Sequence, residues 1–211
     1  MVALNVKYIY MDSYSQSNQE SFVLNMLKGK RKGFYLEVGG HDGFAISNTS
    51  LLEIGFDWDG IALDISRKCV NRYNKQRQNK CIHADATNFD YENALLKLGA
   101  PIQIDYLQVD IEPARQSLAA LKALPLNRRR FSVITFEHDA YDSKENLDVQ
   151  SESREILNTL GYELVVKNVM SHGNPYEDWW VDPNVVASEE IEEFRAENIE
   201  DFAIFKGCDF I

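Results

Sequence analysis

The chain has 211 residues, of which 45% are hydrophobic and 26% charged, values typical of one folded domain. Its formal net charge of −11 argues against a nucleic-acid-binding surface, which needs basic side chains concentrated on one face. No stretch has the length of a membrane span or the pattern of a signal peptide, and the three cysteines have neither metal-ligand spacing nor an even-numbered framework. We therefore expect reduced thiols and a cytoplasmic location.

Predicted strands and helices alternate along the chain, starting with a helix over residues 19–28. The remaining helices are predicted to begin near Ser47, with capping-box spacing at Ser50 and Glu53, and to cover 66–79, 91–98, 114–124, 152–160 and 188–195. This rhythm predicts βαβ crossovers and a mostly parallel α/β sheet with helices on both faces. The predicted strands are 34–38, 61–64, 80–84, 104–110, 131–137, 162–169 and 177–181, with a last short strand or docked tail at 203–205.

One domain is the expected organisation. We predict that it spans residues 1–211, with residues 1–32 as an N-terminal helical extension and residues 184–211 as a C-terminal tail packed on the domain. Neither an internal repeat nor a low-complexity linker interrupts the alternation of strands and helices. The sequence makes no prediction of oligomeric state.

The strongest functional signal lies in residues 33–53. An apolar strand is followed by Gly39, Gly40 and Gly43, and then by the start of a helix. The next strand ends at Asp64, about 20 residues later, where a Rossmann-type site places the acidic residue that binds ribose hydroxyls. The pattern therefore predicts a cofactor that contains adenosine.

The residues around the glycines favour one kind of cofactor. A dinucleotide site has the pattern G-x-G-x-x-G, whereas His41 occupies the second glycine position here and Glu37 precedes the turn. A carboxylate directed into the turn would repel a pyrophosphate and would attract the ammonium and sulfonium groups of S-adenosylmethionine. We therefore expect S-adenosylmethionine as the cofactor.

Further polar side chains follow the other predicted strands, and ligands of open parallel sheets bind at these carboxyl ends. Asp85 is placed to accept a hydrogen bond from an adenine amino group, or else to cap the helix that follows. His138 lies between two carboxylates at a strand end, which makes it a candidate general base. The complete set is Asp85, Asp110, Glu112, Glu137, His138 and Asp139.

Several motifs together resemble the FkbM-type methyltransferases: residues 15–23, 37–43, 47–53 and 104–112. The resemblance spans most of residues 14–183 and implies a class I, Rossmann-like methyltransferase fold with a doubly wound, mostly parallel seven-stranded sheet that ends in an antiparallel hairpin. It also implies O-methylation of a hydroxyl on a sugar or natural product. Two positions depart from the family: Asp64 stands where glutamate is frequent, and Pro113 where glycine is frequent. The implied cofactor-binding residues are Glu37, Gly39, Gly40, Asp42, Gly43, Ser47, Asn48, Asp64, Asp85, Ala86 and Asp110.

Two schemes for activating the acceptor hydroxyl stay open at this stage. In one, His138 removes the proton and Asp110 and Glu112 complete the catalytic set. In the other, Asp110 with Glu137 or Asp139 holds Mg²⁺, which acidifies the hydroxyl. The adjacent Trp179 and Trp180 are predicted either to wall the acceptor pocket or to pack in the core, pointing to opposite faces of their strand.

Three rival functions share parts of this pattern. A nicotinamide-dependent oxidoreductase would share the glycine turn, a nucleic-acid methyltransferase would share the cofactor site, and a non-catalytic nucleotide-binding module would lack only the acceptor pocket. The expected partner is a small-molecule or glycan acceptor with a free hydroxyl, with neither nucleic acid nor membrane involved.

Overall fold

A computed structural model of the protein describes residues 14–200. The helices are α1 (Gln19–Met26), α2 (Ser50–Phe56), α3 (Arg67–Gln76), α4 (Tyr91–Lys97), α5 (Ala114–Ala123), α6 (Lys144–Thr159) and α7 (Ser188–Phe194). The strands are β1 (Phe34–Val38), β2 (Asp59–Asp64), β3 (Lys80–His83), β4 (Gln103–Val109), β5 (Arg130–Glu137), β6 (Glu163–Ser171), β7 (Asn174–Val181) and β8 (Ala196–Glu200). The predicted element at 203–205 lies outside the described residues, as does Cys208.

All eight described strands form one sheet in the order β3-β2-β1-β4-β5-β7-β6-β8. The first five in this order are parallel, β7 runs antiparallel to both β5 and β6, and β8 is parallel to β6. The mostly parallel sheet with an antiparallel hairpin is therefore confirmed. It contains one strand more than the seven predicted, because residues 196–200 of the predicted tail pair with β6.

Helices cover both faces of the sheet, as βαβ crossovers require. The core on one face unites α4, α5 and α6 with side chains such as Leu36 and Leu107. The core on the other face unites α1, α2 and α7 with Tyr35 and Tyr106, and α3 packs beside it through Tyr73. Each strand of the sheet centre is thus buried on both sides, so its polar side chains reach solvent only at the strand ends.

Two helix starts differ from the sequence prediction. The helix predicted at 152–160 begins at Lys144, because the Ser143 side chain caps it by accepting a hydrogen bond from the Asn146 amide. The capping box predicted for α2 does not form: Ser50 is the first helical residue, and the Glu53 side chain bonds Arg77 instead. Within residues 14–200, no helix has the length and apolar character needed to cross a membrane.

Candidate functional site

The carboxyl ends of β1, β2 and β4 meet at the glycine turn. Gly39 has a φ of +101°, and a Cβ placed there would lie 1.8 Å from the carbonyl oxygen of Asp110. The amides of Gly39 and Gly40 both donate to the Leu63 carbonyl, and the Asp110 amide donates to the Val38 carbonyl. Only glycine allows β4 to approach the turn so closely, so the sequence signal marks a real junction of three strands.

Asp64 ties the end of β2 to this turn. One carboxylate oxygen accepts a hydrogen bond of 2.9 Å from the His41 amide, and the other accepts one of 2.6 Å from the Ser66 amide. These two backbone donors fix the orientation of the carboxylate while leaving further lone pairs on both oxygens. The geometry suits the predicted role as acceptor of two ribose hydroxyls.

A cavity of about 500 Å³ opens at these strand ends. Four carboxylates line it, from Asp64, Asp85, Asp110 and Glu112, and no lysine or arginine among residues 14–200 does. Its remaining walls are mostly apolar side chains and backbone, as a purine-sized ligand requires. These walls are formed by Gly39, His41, Ile46, Leu63, Ile65, Ala84, Ala86, Thr87, Ile111, Pro113 and Gln116.

Asp85 combines the two roles that the sequence left open. One of its carboxylate oxygens accepts hydrogen bonds from the Thr87 amide and hydroxyl, which caps the short 3-10 helix Ala86–Asn88. These bonds lower the pKa of the exposed carboxyl below its ordinary value. Asp85 also lines the cavity, so its second oxygen is available to a ligand.

A second cavity of about 380 Å³ lies beside the first. Ile46, Asp110 and Glu112 line both cavities and therefore mark the passage between them. The second cavity adds Glu137 and Asp139 at the end of β5, and Tyr176 from β7. Its other lining residues are Gln16, Tyr141, Ser171, His172 and Asn174.

Carboxyl groups crowd together at the second cavity. Ligand oxygens of Glu112, Glu137 and Asp139 lie within 4.8 Å of one another, so Glu112 takes the place in this group that the sequence analysis gave to Asp110. Burial raises the pKa of Asp110 and of Asp139 to about 6, and the nearby Glu112 carboxylate acts in the same direction. Burial and the Asp110 charge raise the pKa of Glu137 far above its ordinary range. At neutral pH this group therefore holds a proton that a positive ligand can replace.

Three residues expected to bind the cofactor lie behind the turn instead. Glu37 is buried, accepts hydrogen bonds from Thr49 and Tyr73, and does not line either cavity, so its carboxylate is not directed at a ligand there. Ser47 and Asn48 are buried as well, and the Ser47 hydroxyl accepts from the amides at the start of α2. These side chains stabilise the turn and do not form the cavity wall.

The same holds for much of the glycine turn itself. Gly40, Asp42 and Gly43 do not line the cavity. Asp42 accepts hydrogen bonds from the amides of Phe44 and Ala45, and the Gly43 amide donates to the Gly40 carbonyl. Of the residues around the turn, Gly39, His41 and Ile46 reach the cavity.

Arg77, which follows α3, binds this turn on the side away from the cavity, a role not predicted from the sequence. Its guanidinium donates to the Gly43 carbonyl at 2.9 Å, to the Ser47 hydroxyl at 3.1 Å and to the Glu53 carboxylate at 2.8 Å. It also lies over the Tyr73 ring, 4.9 Å from the centroid. No local motif marks Arg77, since its partners come from three other parts of the chain.

His138 is not at the site, which corrects its predicted role as general base. Its side chain has no exposed surface, its Nδ1 accepts a hydrogen bond from the Ala140 amide, and its Nε2 lies 3.5 Å from Asp178 and 3.2 Å from Gln150. Both ring nitrogens are thus occupied inside the protein and neither cavity includes the residue. The His138 ring therefore binds Gln150 and the Ala140 amide and lies beside Asp178, a carboxylate distant in the sequence.

The tryptophans resolve in favour of the core. Trp179 packs with the α1 side of the sheet and Trp180 with the opposite side, as the strand alternation predicted. Neither tryptophan lines the second cavity, whose lining includes the aromatic rings of Tyr141 and Tyr176. The Tyr176 carbonyl accepts hydrogen bonds from the amides of His138 and Asp139, which joins the end of β5 to β7.

Comparisons with known proteins identify the fold. No family model matches the sequence, and no curated protein matches it. The chain is similar to the methyltransferase domain of METTL16, with a TM-score of 0.54, 14% identity and coverage of 78% of this chain and 66% of that one. It is also similar to a putative rRNA methylase from Clostridium thermocellum, with a TM-score of 0.53, 10% identity and coverage of 81% and 99%. For the human methyltransferase 10 domain containing protein the TM-score is 0.52 and the identity 10%, with coverage of 82% of this chain and 85% of that one.

The chain therefore has the class I, Rossmann-like methyltransferase fold. At these identities the likeness extends to the fold and not to the acceptor, and the FkbM-type resemblance gains no support from it. Because one of these structures is titled as a putative rRNA methylase, the comparisons also give no support to the exclusion of nucleic acid that the net charge suggested.

Proposed function

We propose that the protein is an S-adenosylmethionine-dependent methyltransferase that methylates a hydroxyl on a sugar or small natural product. The observation that carries the proposal is the charge of the larger cavity. Of the residues that the structure describes, four carboxylates and no lysine or arginine line it, next to a glycine turn and Asp64 in the arrangement of a nucleoside site. A cofactor with a positively charged sulfur and an ammonium group fits this surface, whereas the pyrophosphate of a nicotinamide cofactor would be repelled.

Individual residues fit separate parts of such a cofactor. Asp64 is oriented by two backbone amides to accept hydrogen bonds from ribose hydroxyls. Asp85 and Ala86 lie at the end of β3, where an adenine amino group would find the free oxygen of Asp85. Gly39 contributes backbone to the cavity wall beside Asp110, where the amino-acid part of the cofactor would lie.

Asp110 is the candidate general base in place of His138. It lines both cavities, so it lies where a methyl donor in one and an acceptor in the other would meet. S-adenosylmethionine supplies a methyl group already activated by its sulfonium, and alignment of the reactants alone is worth about 7–11 kcal/mol. As the oxygen–carbon bond formed, the methyl carbon–sulfur bond would break to leave S-adenosylhomocysteine, and the Asp110 carboxylate would accept the hydroxyl proton. Glu112 lies at the same passage.

Mg²⁺ offers a second way to activate the hydroxyl at the same place. Asp110, Glu137 and Asp139, with Glu112, present the carboxylate oxygens that this ion prefers. A bound ion would lower the pKa of the hydroxyl and remove the need for a base. Loss of turnover after chelation, with full recovery on adding Mg²⁺, would select this scheme over the Asp110 base.

Ligand-induced stabilisation tests the proposal directly. A ligand present at about 100 times its dissociation constant adds about 2.7 kcal/mol to the free energy of unfolding, which appears as a raised thermal midpoint. We expect S-adenosylmethionine and S-adenosylhomocysteine to raise it, with and without Mg²⁺, and NADH to leave it unchanged. A response to NADH alone would instead support the oxidoreductase alternative, and silence from all three would refute a nucleoside site.

A further inference from the structure

The second cavity, like the larger one, is lined by acidic side chains without a lysine or arginine from residues 14–200. Four carboxyl groups line it, from Asp110, Glu112, Glu137 and Asp139, and the described lining also includes His172. Within residues 14–200, none of the four forms an ion pair, whereas the buried carboxylates of Glu53, Asp178 and Asp182 each bind an arginine. The protein therefore leaves this charge to be balanced by something that enters the cavity.

Asp139 is the clearest sign that the balancing group is a ligand. Only 7% of the residue is exposed, although it lines the cavity. Its backbone has a φ of +46°, and its amide donates a hydrogen bond to the Tyr176 carbonyl. In the part of the chain that the structure describes, its side chain has no lysine or arginine partner. It shares a hydrogen bond with the Glu137 carboxyl, and its other titratable neighbours are Asp110, Glu112 and His138. A carboxylate buried in this way costs several kcal/mol unless a cation or proton accompanies it.

The size and lining of the cavity favour an organic cation over a metal ion. At about 30 Å³ for each water, Mg²⁺ with six waters would fill only about half of the 380 Å³. The walls also include Tyr141, Tyr176 and the apolar Ile46, which are poor neighbours for a strongly hydrated ion. Aromatic rings do stabilise alkylammonium groups through cation–π contacts, worth about 0.5–2 kcal/mol.

We propose that the acceptor is an amine: an alkylammonium group binds Glu112, Glu137 and Asp139, and the hydroxyl to be methylated lies beside it at Asp110. A primary ammonium has three N–H donors, and the three carboxyl groups offer oxygens within 4.8 Å of one another to receive them. Asp110 remains at the passage to the larger cavity, where the hydroxyl would meet the methyl donor. This inference rests on the proposed function and narrows its acceptor to amino sugars and amino alcohols.

The test measures the binding of matched probes to the full-length protein saturated with S-adenosylhomocysteine. The pairs are glucosamine with N-acetylglucosamine and ethanolamine with N-acetylethanolamine, because acetylation removes the positive charge and keeps the hydroxyls. We expect each amine that binds to do so at least about tenfold more tightly than its acetylated partner, as one retained charge contact of about 1.4 kcal/mol implies. Calorimetry at fixed ionic strength measures both affinities.

Variants show whether the discrimination comes from this cavity. Asp139→Asn and the double variant with Glu137→Gln should reduce the preference for amines to about twofold or less. Glu112→Gln should reduce the same preference, and because Glu112 is exposed its replacement does not disturb the core. Asp148→Asn is the matched control, because Asp148 is an exposed carboxylate on α6 that lines neither cavity. This control should keep the preference of the unmodified protein.

Several results would overturn the inference without touching the proposed function. Equal binding of amine and acetylated probes would do so, as would the failure of every amine while S-adenosylhomocysteine still binds. Saturable binding of Mg²⁺ alone, lost in Asp139→Asn and unaffected by amines, would assign the carboxylates to the metal scheme. Failure of S-adenosylhomocysteine itself to bind would refute the proposed function first.

Discussion

Two groups of acidic side chains lie on opposite sides of the glycine turn and have opposite surroundings. Behind the turn, Glu53 binds the Arg77 guanidinium and Glu37 accepts hydrogen bonds from Thr49 and Tyr73. In front of it, the carboxyl groups of the second cavity contact chiefly one another. Acids that the protein supplies with partners stabilise the fold, and acids without partners are the ones a ligand must satisfy.

Removal of Arg77 should have the largest effect on stability, because Arg77 is the partner of the buried Glu53 carboxylate behind the turn. Arg77→Met leaves the Glu53 carboxylate and the Gly43 carbonyl without their donor in a buried setting. We expect the free energy of unfolding to fall by about 3–5 kcal/mol, as for other broken buried ion pairs. Urea denaturation measures the loss, with Arg195→Met as the control, since that exposed pair should change stability by less than about 1 kcal/mol. Equal losses in both variants would contradict the distinction.

The dependence of stability on pH should come next in size. Burial raises the pKa of Asp110 and Asp139 to about 6, of Glu37 to about 7 and of Glu177 to about 8. The folded protein then keeps protons that the unfolded chain has already lost, so the free energy of unfolding falls as pH rises from about 4 to about 8. At 1.36 kcal/mol per pKa unit, a single group raised by about two units already gives about 3 kcal/mol, so we expect a loss of at least about 3 kcal/mol.

Chemical denaturation between pH 5 and pH 8 checks this direction in the ligand-free protein. Stability that increases toward pH 8 would show that these carboxyl groups are already compensated. S-adenosylmethionine at saturation should flatten the lower part of the curve, because its positive charge replaces the protons near Asp110.

Asp64→Ala tests the acid that serves the cofactor. The variant should weaken S-adenosylmethionine binding by about 1.5–3 kcal/mol, the range for hydrogen bonds to a charged group. Its thermal midpoint without ligand should also fall, because the amides of His41 and Ser66 lose their acceptor, so calorimetry compares the affinities at a temperature where the variant is folded. Asp85→Ala should have a smaller effect on affinity, because one of its oxygens already serves Thr87. A reversed order of the two affinities would exchange their assigned roles.

The smallest effect separates function from stability at the second cavity. Asp139→Asn removes one charge from a group of like charges, so the ligand-free protein should gain about 1 kcal/mol of stability at pH 8. The same variant should lose most of its turnover. Asp178→Asn, which leaves Arg154 without its buried carboxylate, should instead lose stability. A destabilised Asp139→Asn would mean that its carboxylate has a structural partner.

Much of the fold followed from local patterns. The apolar runs and their spacing predicted all seven strands from β1 to β7, and the glycines with Asp64 predicted where a nucleoside would bind. These signals are local because a buried strand and a tight turn each restrict the residues at their own positions. The strand β8 was missed, since a half-exposed edge strand carries no strong pattern of its own.

The sequence by itself determined the sheet, the turn and the set of acids at the strand ends. Only the tertiary structure decided which of those acids reach the cavities, because a side chain's direction depends on partners far away in the chain. His138 is buried beside Asp178, and Glu37 accepts hydrogen bonds from Thr49 and Tyr73. The Glu53 carboxylate forms an ion pair with Arg77. Asp110, Glu112, Glu137 and Asp139 face the second cavity, and none of them forms an ion pair with a lysine or arginine of the described chain.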